Sequence, residues 1–189
     1  MKKLLIVTLV LILLVTQFHI ALANELFSVR GISFGMSLEE VQSVLGQGKV
    51  ESSFLETNIT YKNVGFSMFA SGADFMCKLV ANRVVCMGYS HPISNASDYY
   101  EYLEKALTEK YGQKKNLQDA FWSSFIKMYG YNASDFDASD FNAAEAFGVE
   151  ALSTWEKGDV FIAELVSGES LFVMYIQKKL LAGYNTYGL

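Results

Sequence analysis

The stretch Val149 to Gln177, VEALSTWEKGDVFIAELVSGESLFVMYIQ, decides the fold. It divides into three runs of β-formers: Val149 to Trp155, Val160 to Val166 and Leu171 to Gln177. Lys157-Gly158-Asp159 and Gly168-Glu169 separate them with turn chemistry. Strands joined by turns this short cannot be parallel, so the end of the chain is an antiparallel meander. The turn at Gly168-Glu169 sets Leu165 against Phe172, Ala163 against Met174, and Phe161 against Ile176. All six are apolar, so this face is expected to lie toward the helices. The opposite face carries Val160, Ile162, Val166, Leu171, Val173 and Tyr175, with Glu164 as its main charge. A second apolar face of that size is rare on a soluble monomer. Residues 113–147, a second copy or another protein is therefore expected to cover it.

Upstream, Gly31 to Gly46, GISFGMSLEEVQSVLG, reads as a short strand feeding a helix. Ser37 and Glu40 have capping-box spacing, with Met36 and Val41 at the staple positions. Leu38, Val41 and Leu45 share one helical face, with Val44 beside them. Gly46 is the left-handed stop. A hairpin is expected about Lys62-Asn63, pairing Ile59 and Tyr61 with Val64, Phe66 and Met68. A second is expected about Ala81-Asn82, joining Phe75–Val80 to Arg83–Tyr89, after which His91-Pro92 breaks the chain. Ser94 to Tyr111 reads as a second helix with Tyr99, Tyr102, Leu103, Ala106 and Leu107 inward and a Gly112 stop. Helix, strands, helix, strands is the order of an α+β domain: an antiparallel sheet with two main helices on one face.

Between these elements, residues 113–147 read as a long loop or insert. Leu117, Phe121, Phe125 and Met128 have helical spacing, and Ala-Ser-Asp-Phe occurs at both 133–136 and 138–141. A loop of this length is usually functional or disordered. Its aromatics Phe121, Trp122, Phe136 and Phe141 are candidate interaction residues, as are Ile162, Val166, Leu171, Val173 and Tyr175 on the sheet. The alternative for the loop aromatics is a cap on one end of the core.

The compartment is legible at the start. Lys2 and Lys3 precede an apolar run from Leu4 to Val15, and Ala21-Leu22-Ala23 offers a cleavage site. This is the pattern of a secretory signal peptide over residues 1–23, with one domain over 24–189. The apolar run is short for a membrane span, and no Cys near Asn24 could carry a lipid. No stable membrane anchor is expected after cleavage. Thirteen Lys and Arg would then face twenty Asp and Glu, a net charge of −7. Such a chain has no electrostatic attraction for nucleic acid. It is expected in the periplasm or secreted. There oxidation is permitted, and pairing outward from Ala81-Asn82 sets Cys77 opposite Cys86. A disulfide between them is expected.

Catalytic and metal chemistry find little support. Only His91 lies beyond the expected cleavage site, so a multi-histidine zinc site has no ligands. His91 itself reads as a surface residue. Gly31-Ile32-Ser33-Phe34-Gly35 matches the nucleophile-elbow pattern, but its helix starts only at the Ser37 cap. Asp135, Asp137 and Asp140 lack the glycine and glutamate of a calcium loop. The reading is of no enzyme, no cofactor and no metal.

Arg30-Gly31-Ile32, Phe34-Gly35, Ser37-Leu38-Glu39-Glu40-Val41 and the closing Trp155-Glu156 before alternating strands resemble an uncharacterised family of exported bacterial proteins. The Gly-Met-Ser-x-Glu-Glu-Val element is also distantly similar to β-lactamase-inhibitor-protein-like domains and to the small lipoprotein of the outer-membrane barrel-assembly machine. The resemblance implies helices on an antiparallel sheet and action by binding proteins. The expected function is therefore a non-enzymatic, exported protein-binding module. A small-ligand carrier with an aromatic groove between helices and sheet is the alternative.

Overall fold

The computed structural model describes residues 27–53, 56–66, 69–92, 96–118, 120–122 and 148–182. The apolar start, the expected cleavage site, Phe125, Met128, Phe136, Phe141 and the Ala-Ser-Asp-Phe duplication lie outside the described residues. The chain is an antiparallel sheet carrying helices. β1 (Ser28–Val29) and β2 (Ile32–Ser33) form a small hairpin, followed by α1 (Leu38–Leu45). Next come β3 (Lys49–Ser52), β4 (Glu56–Phe66), β5 (Phe69–Val80) and β6 (Arg83–Pro92). Helix α2 (Ala96–Tyr111) precedes β7 (Val149–Lys157), β8 (Val160–Ser167), β9 (Ser170–Gln177) and α3 (Lys178–Ala182). The seven longer strands form one sheet in the order β3-β4-β5-β6-β9-β8-β7. Two meanders meet where β6 pairs with β9, and every neighbouring pair is antiparallel.

The α1 start is built as its sequence specifies. Glu40 N–H donates to Ser37 Oγ (3.3 Å), and Ser37 N–H to Glu40 Oε2 (2.7 Å). A third partner comes from far along the chain. Asn82 Oδ1, in the β5–β6 turn, accepts from Leu38 N–H at 3.0 Å. Ala81 and Asn82 both have positive φ (46° and 57°), the two-residue turn that matches strand twist. Gly35 N–H bonds Val84 O and Val84 N–H bonds Met36 O, each at 2.9 Å. The glycine-rich approach to α1 is thereby stitched to β6. Val41 is fully buried, Leu38 and Leu45 are half-buried, and Val44 is exposed.

Three local expectations are corrected. Lys62-Asn63 is no hairpin turn: β4 runs through it, and Asn63 (φ 52°) marks a bulge in the ladder with β5. Its turn propensity is spent on the bulge, beside the close approach of Gly72 to the Asn63 backbone. His91 is buried within β6 rather than on the surface, and Pro92 ends that strand. The Cys77–Cys86 bridge is not formed. A register shift follows Leu79↔Val84, leaving Val85 as the extra residue, so Cys86 faces Lys78 and Cys77 faces Met87. The two free thiols consequently lie in different core clusters, on opposite faces of the sheet.

The faces of the closing meander are reversed from expectation. The register Leu165↔Phe172, Ala163↔Met174, Phe161↔Ile176 is as expected. Yet Ile162, Val166, Leu171, Val173 and Tyr175 pack with Val41 of α1 and Leu103 and Leu107 of α2. Phe161, Ala163, Leu165 and Ile176 form the other cluster, with Phe121.

Candidate functional site

On that other face Gly88 of β6 sits between Met76 of β5 and Met174 of β9 as their common Cα partner. A Cβ on Gly88 would lie 2.4 Å from Val173 O, so the close approach of β9 requires glycine here. With no side chain at Gly88, the two methionines flank a hollow. It measures ≈ 240 Å³ and forms a groove on the sheet. Trp122, Val149, Leu165 and Phe172 line it, and Cys86 and Ser167 complete its sulfur and hydroxyl edges, with Tyr89 adjoining. Met76 is 37% exposed at the rim.

The wall carrying Trp122 is fastened to the sheet edge. Lys115 N–H donates to Thr154 O (2.9 Å), Thr154 Oγ1 to Lys115 O (2.5 Å), and Leu117 N–H to Thr154 Oγ1 (3.2 Å). Phe121 N–H bonds Leu117 O, and its fully buried ring stands edge-on to Trp122 at 5.1 Å. Lys115 and Lys178 both reach the Glu156 carboxylate and hold it at about 2, well below its usual value. Burial pushes the Cys86 thiol up to about 12, with only a partial offset from the Lys78 charge.

The helix-covered face holds a different feature. Glu164 is fully buried, and neither carboxylate oxygen has a hydrogen-bond partner among the described residues. Its strand neighbours are Ser153 and Val173. Tyr100 OH donates to Ser153 Oγ (2.8 Å), and Ser153 Oγ to Glu104 Oε2 (2.7 Å). Lys114 Nζ also donates to that oxygen, at 2.7 Å. Burial, then the Glu104 charge, pushes Glu164 up to about 9 against the pull of Lys114. Burial alone would raise Glu104 too, but hydrogen bonds from Lys114 and Ser153 keep it below its usual value. Burial likewise takes Tyr100 up to about 12. Glu164 is thus held as a neutral acid at pH 7, buried from solvent. The cluster is a proton-holding core element.

The expected interaction residues divide accordingly. Ile162, Val166, Leu171, Val173 and Tyr175 are at most 4% exposed and are core, covered from within the chain. Phe121 is core as well. Trp122 alone of the described candidates lines the groove. Sequence reading did not place Met76, Cys86, Gly88, Phe172 and Met174 together in a groove. A glycine in the middle of a strand was the available signal. Among the described residues no three His, Cys, Asp or Glu side chains are placed for a metal, and no helix is long and apolar enough to cross a membrane. Comparison with protein-family models, with characterised proteins and with solved structures finds no significant match for this chain.

Proposed function

We propose that this protein is an exported, non-enzymatic binding module that docks a protein partner by taking one of its apolar side chains into the groove over Gly88. The size and lining of the groove carry this reading. Small-molecule sites usually measure about 300–1,000 Å³. At ≈ 240 Å³ this groove is below that range and suits a single aromatic or branched anchor. Methionines at its rim supply an adaptable apolar surface. The charged, apolar, small-residue start supports export. In this reading α1 and α2 form one layer on the far face, keeping the sheet rigid behind the groove.

The lining, mostly apolar with Ser167, Tyr89 and Trp122 as its hydrogen-bonding side chains, favours a second reading as a carrier of a small apolar ligand. Photo-crosslinking separates the two. A benzoylphenylalanine at position 76 is exposed to envelope extract, with one at Tyr102 on the opposite side as control. A discrete protein adduct from position 76, absent from position 102 and reduced by Trp122→Ala, is expected. An adduct only with lipid or small molecules supports the carrier. No adduct specific to position 76 overturns both.

A further inference from the structure

Three sulfur-bearing residues line the groove: Met76, Met174 and Cys86. Met76, Gly88 and Met174 stand in one cross-strand row. Neighbouring strands lie about 4.8 Å apart, so the two methionine Cα atoms are about 10 Å apart with no side chain between them. Cys86, two residues along β6 from Gly88, points to the same face, about 7 Å away along the strand. We propose that the floor of this groove is a site for a soft monovalent metal ion, Cu(I) or Ag(I), held by Met76, Met174 and Cys86.

The donor set selects the ion. Thioether and thiolate sulfur are soft ligands that favour Cu(I). None of the groove-lining residues carries a carboxylate or an imidazole, so calcium, magnesium and manganese find no anionic oxygen ligand here. Charge selects further. Both thioethers are neutral, and Cys86 supplies one negative charge once its proton leaves. A monovalent ion then forms a neutral unit in an apolar wall. A divalent ion would leave one uncompensated positive charge there, which is costly. Binding breaks the Cys86 S–H bond, forms a sulfur–metal bond and releases one proton to solvent, with no change of oxidation state. The Trp122 indole borders the same hollow, where a ring can attract a cation and report it by fluorescence.

Ordinary gap-filling is the competing account of methionine in a core. It suits Met87, which is fully buried on the other face, but not Met76 at 37% exposure. The site needs no partner and stands or falls apart from the docking reading, since crosslinking from position 76 does not require metal.

The test is titration of the purified full chain with Ag(I) in chloride-free buffer, followed by calorimetry and tryptophan fluorescence. Cu(I) is then measured by competition with bicinchoninate, and Zn(II) serves as the contrast ion. One equivalent of Ag(I) and of Cu(I) binds, with release of one proton. Met76→Leu and Met174→Leu keep side-chain volume and fold, checked by melting. Each weakens binding about tenfold or more, since even outer-shell partners of a metal are worth about 10–100-fold. Cys86→Ser removes the proton release, and Cys77→Ser changes nothing. Absence of stoichiometric binding overturns the site. So does binding indifferent to both methionine substitutions, binding lost with Cys77→Ser, or Zn(II) bound as tightly as Ag(I).

Discussion

Replacing Glu164 by Gln tests the buried acid directly. Its carboxyl is raised from 4.5 to about 9 in the folded protein. Between those values the native state holds a proton that the unfolded state releases. Stability therefore falls as pH rises, by about 1.4 kcal/mol per pH unit, and levels off only above pH 9. From pH 5 to 7 the loss is about 3 kcal/mol. With a urea m-value of about 1–3 kcal/mol per M, the midpoint moves by about 1 M or more. Glu164→Gln cannot ionise, so this slope disappears. Every other group is common to the two proteins, so the difference isolates position 164. Urea unfolding at pH 5, 6, 7 and 8 is the assay, and the quantity read is the wild-type minus variant difference. Glu164→Leu removes the buried polar group altogether and is expected to be more stable than wild type at pH 7. Parallel pH profiles for wild type and Glu164→Gln would refute the reasoning, because Glu164 would then be ionised and solvated in the fold.

Denatured, non-reduced protein is expected to alkylate at both Cys77 and Cys86, and native protein only slowly, because burial raises both thiols to about 12; mass spectrometry reads the adducts, and an unlabelled pair would restore the bridge. Gly88→Ala places a Cβ against Val173 O, and thermal melting should show a loss of about 3 kcal/mol as β9 is pushed from β6. Glu156 is depressed to about 2, so its pairing with Lys115 and Lys178 contributes fully above about pH 4.5 and fades as pH falls toward 2. Glu156→Gln should thus cost about 1 kcal/mol at pH 7 and clearly less at pH 2, measured by urea unfolding at both.

The legible parts of this fold are those where a local device fixes geometry. Gly168-Glu169 and Ala81-Asn82 are two-residue turns, and the registers beside them, Leu165↔Phe172 and Val80↔Arg83, could be counted from the sequence. Counting failed at the first bulge. Val85 shifts the ladder by one residue, and a one-residue slip moves every later side chain to the other face. The Cys77–Cys86 pairing was lost there. Alternation also carries no sign: Ile162 and Phe161 are equally apolar, and only tertiary packing decides which meets α2. The inward stripe of α2 was placed only in part, with Leu103 and Leu107 buried as expected. Tyr99 and Tyr102 are exposed (44% and 60%), while Tyr100, Leu103, Glu104 and Leu107 turn toward the sheet. A search for apolar spacing assigns Glu104 to solvent, and with it the whole Ser153–Glu164 cluster.

The location of the groove follows from how the second face is divided. Over β3, β4 and β5 that face carries the Lys49–Glu51, Lys62–Asp74 and Lys78–Glu56 pairs, the Lys78 end of the last one buried. Over β9, β8 and β7 it is apolar and is roofed by Leu117, Phe121 and Trp122. The roof is fastened at the β7 edge through Thr154, and its described part ends at Trp122. β6 is the strand where the two regimes meet. There Gly88 contributes no side chain, Met76 stands on the ionic side and Met174 on the apolar side. A sheet this polar on one half and this apolar on the other must have a seam. Placing glycine at the seam lets β9 approach and, among the described residues, leaves a hollow edged by sulfur-bearing side chains between the ion pairs and the roof. The same backbone requirement that brings β9 against β6 therefore also shapes the groove, so Gly88→Ala should lower stability and alter the groove together, whereas Met174→Leu should keep the fold while weakening metal binding.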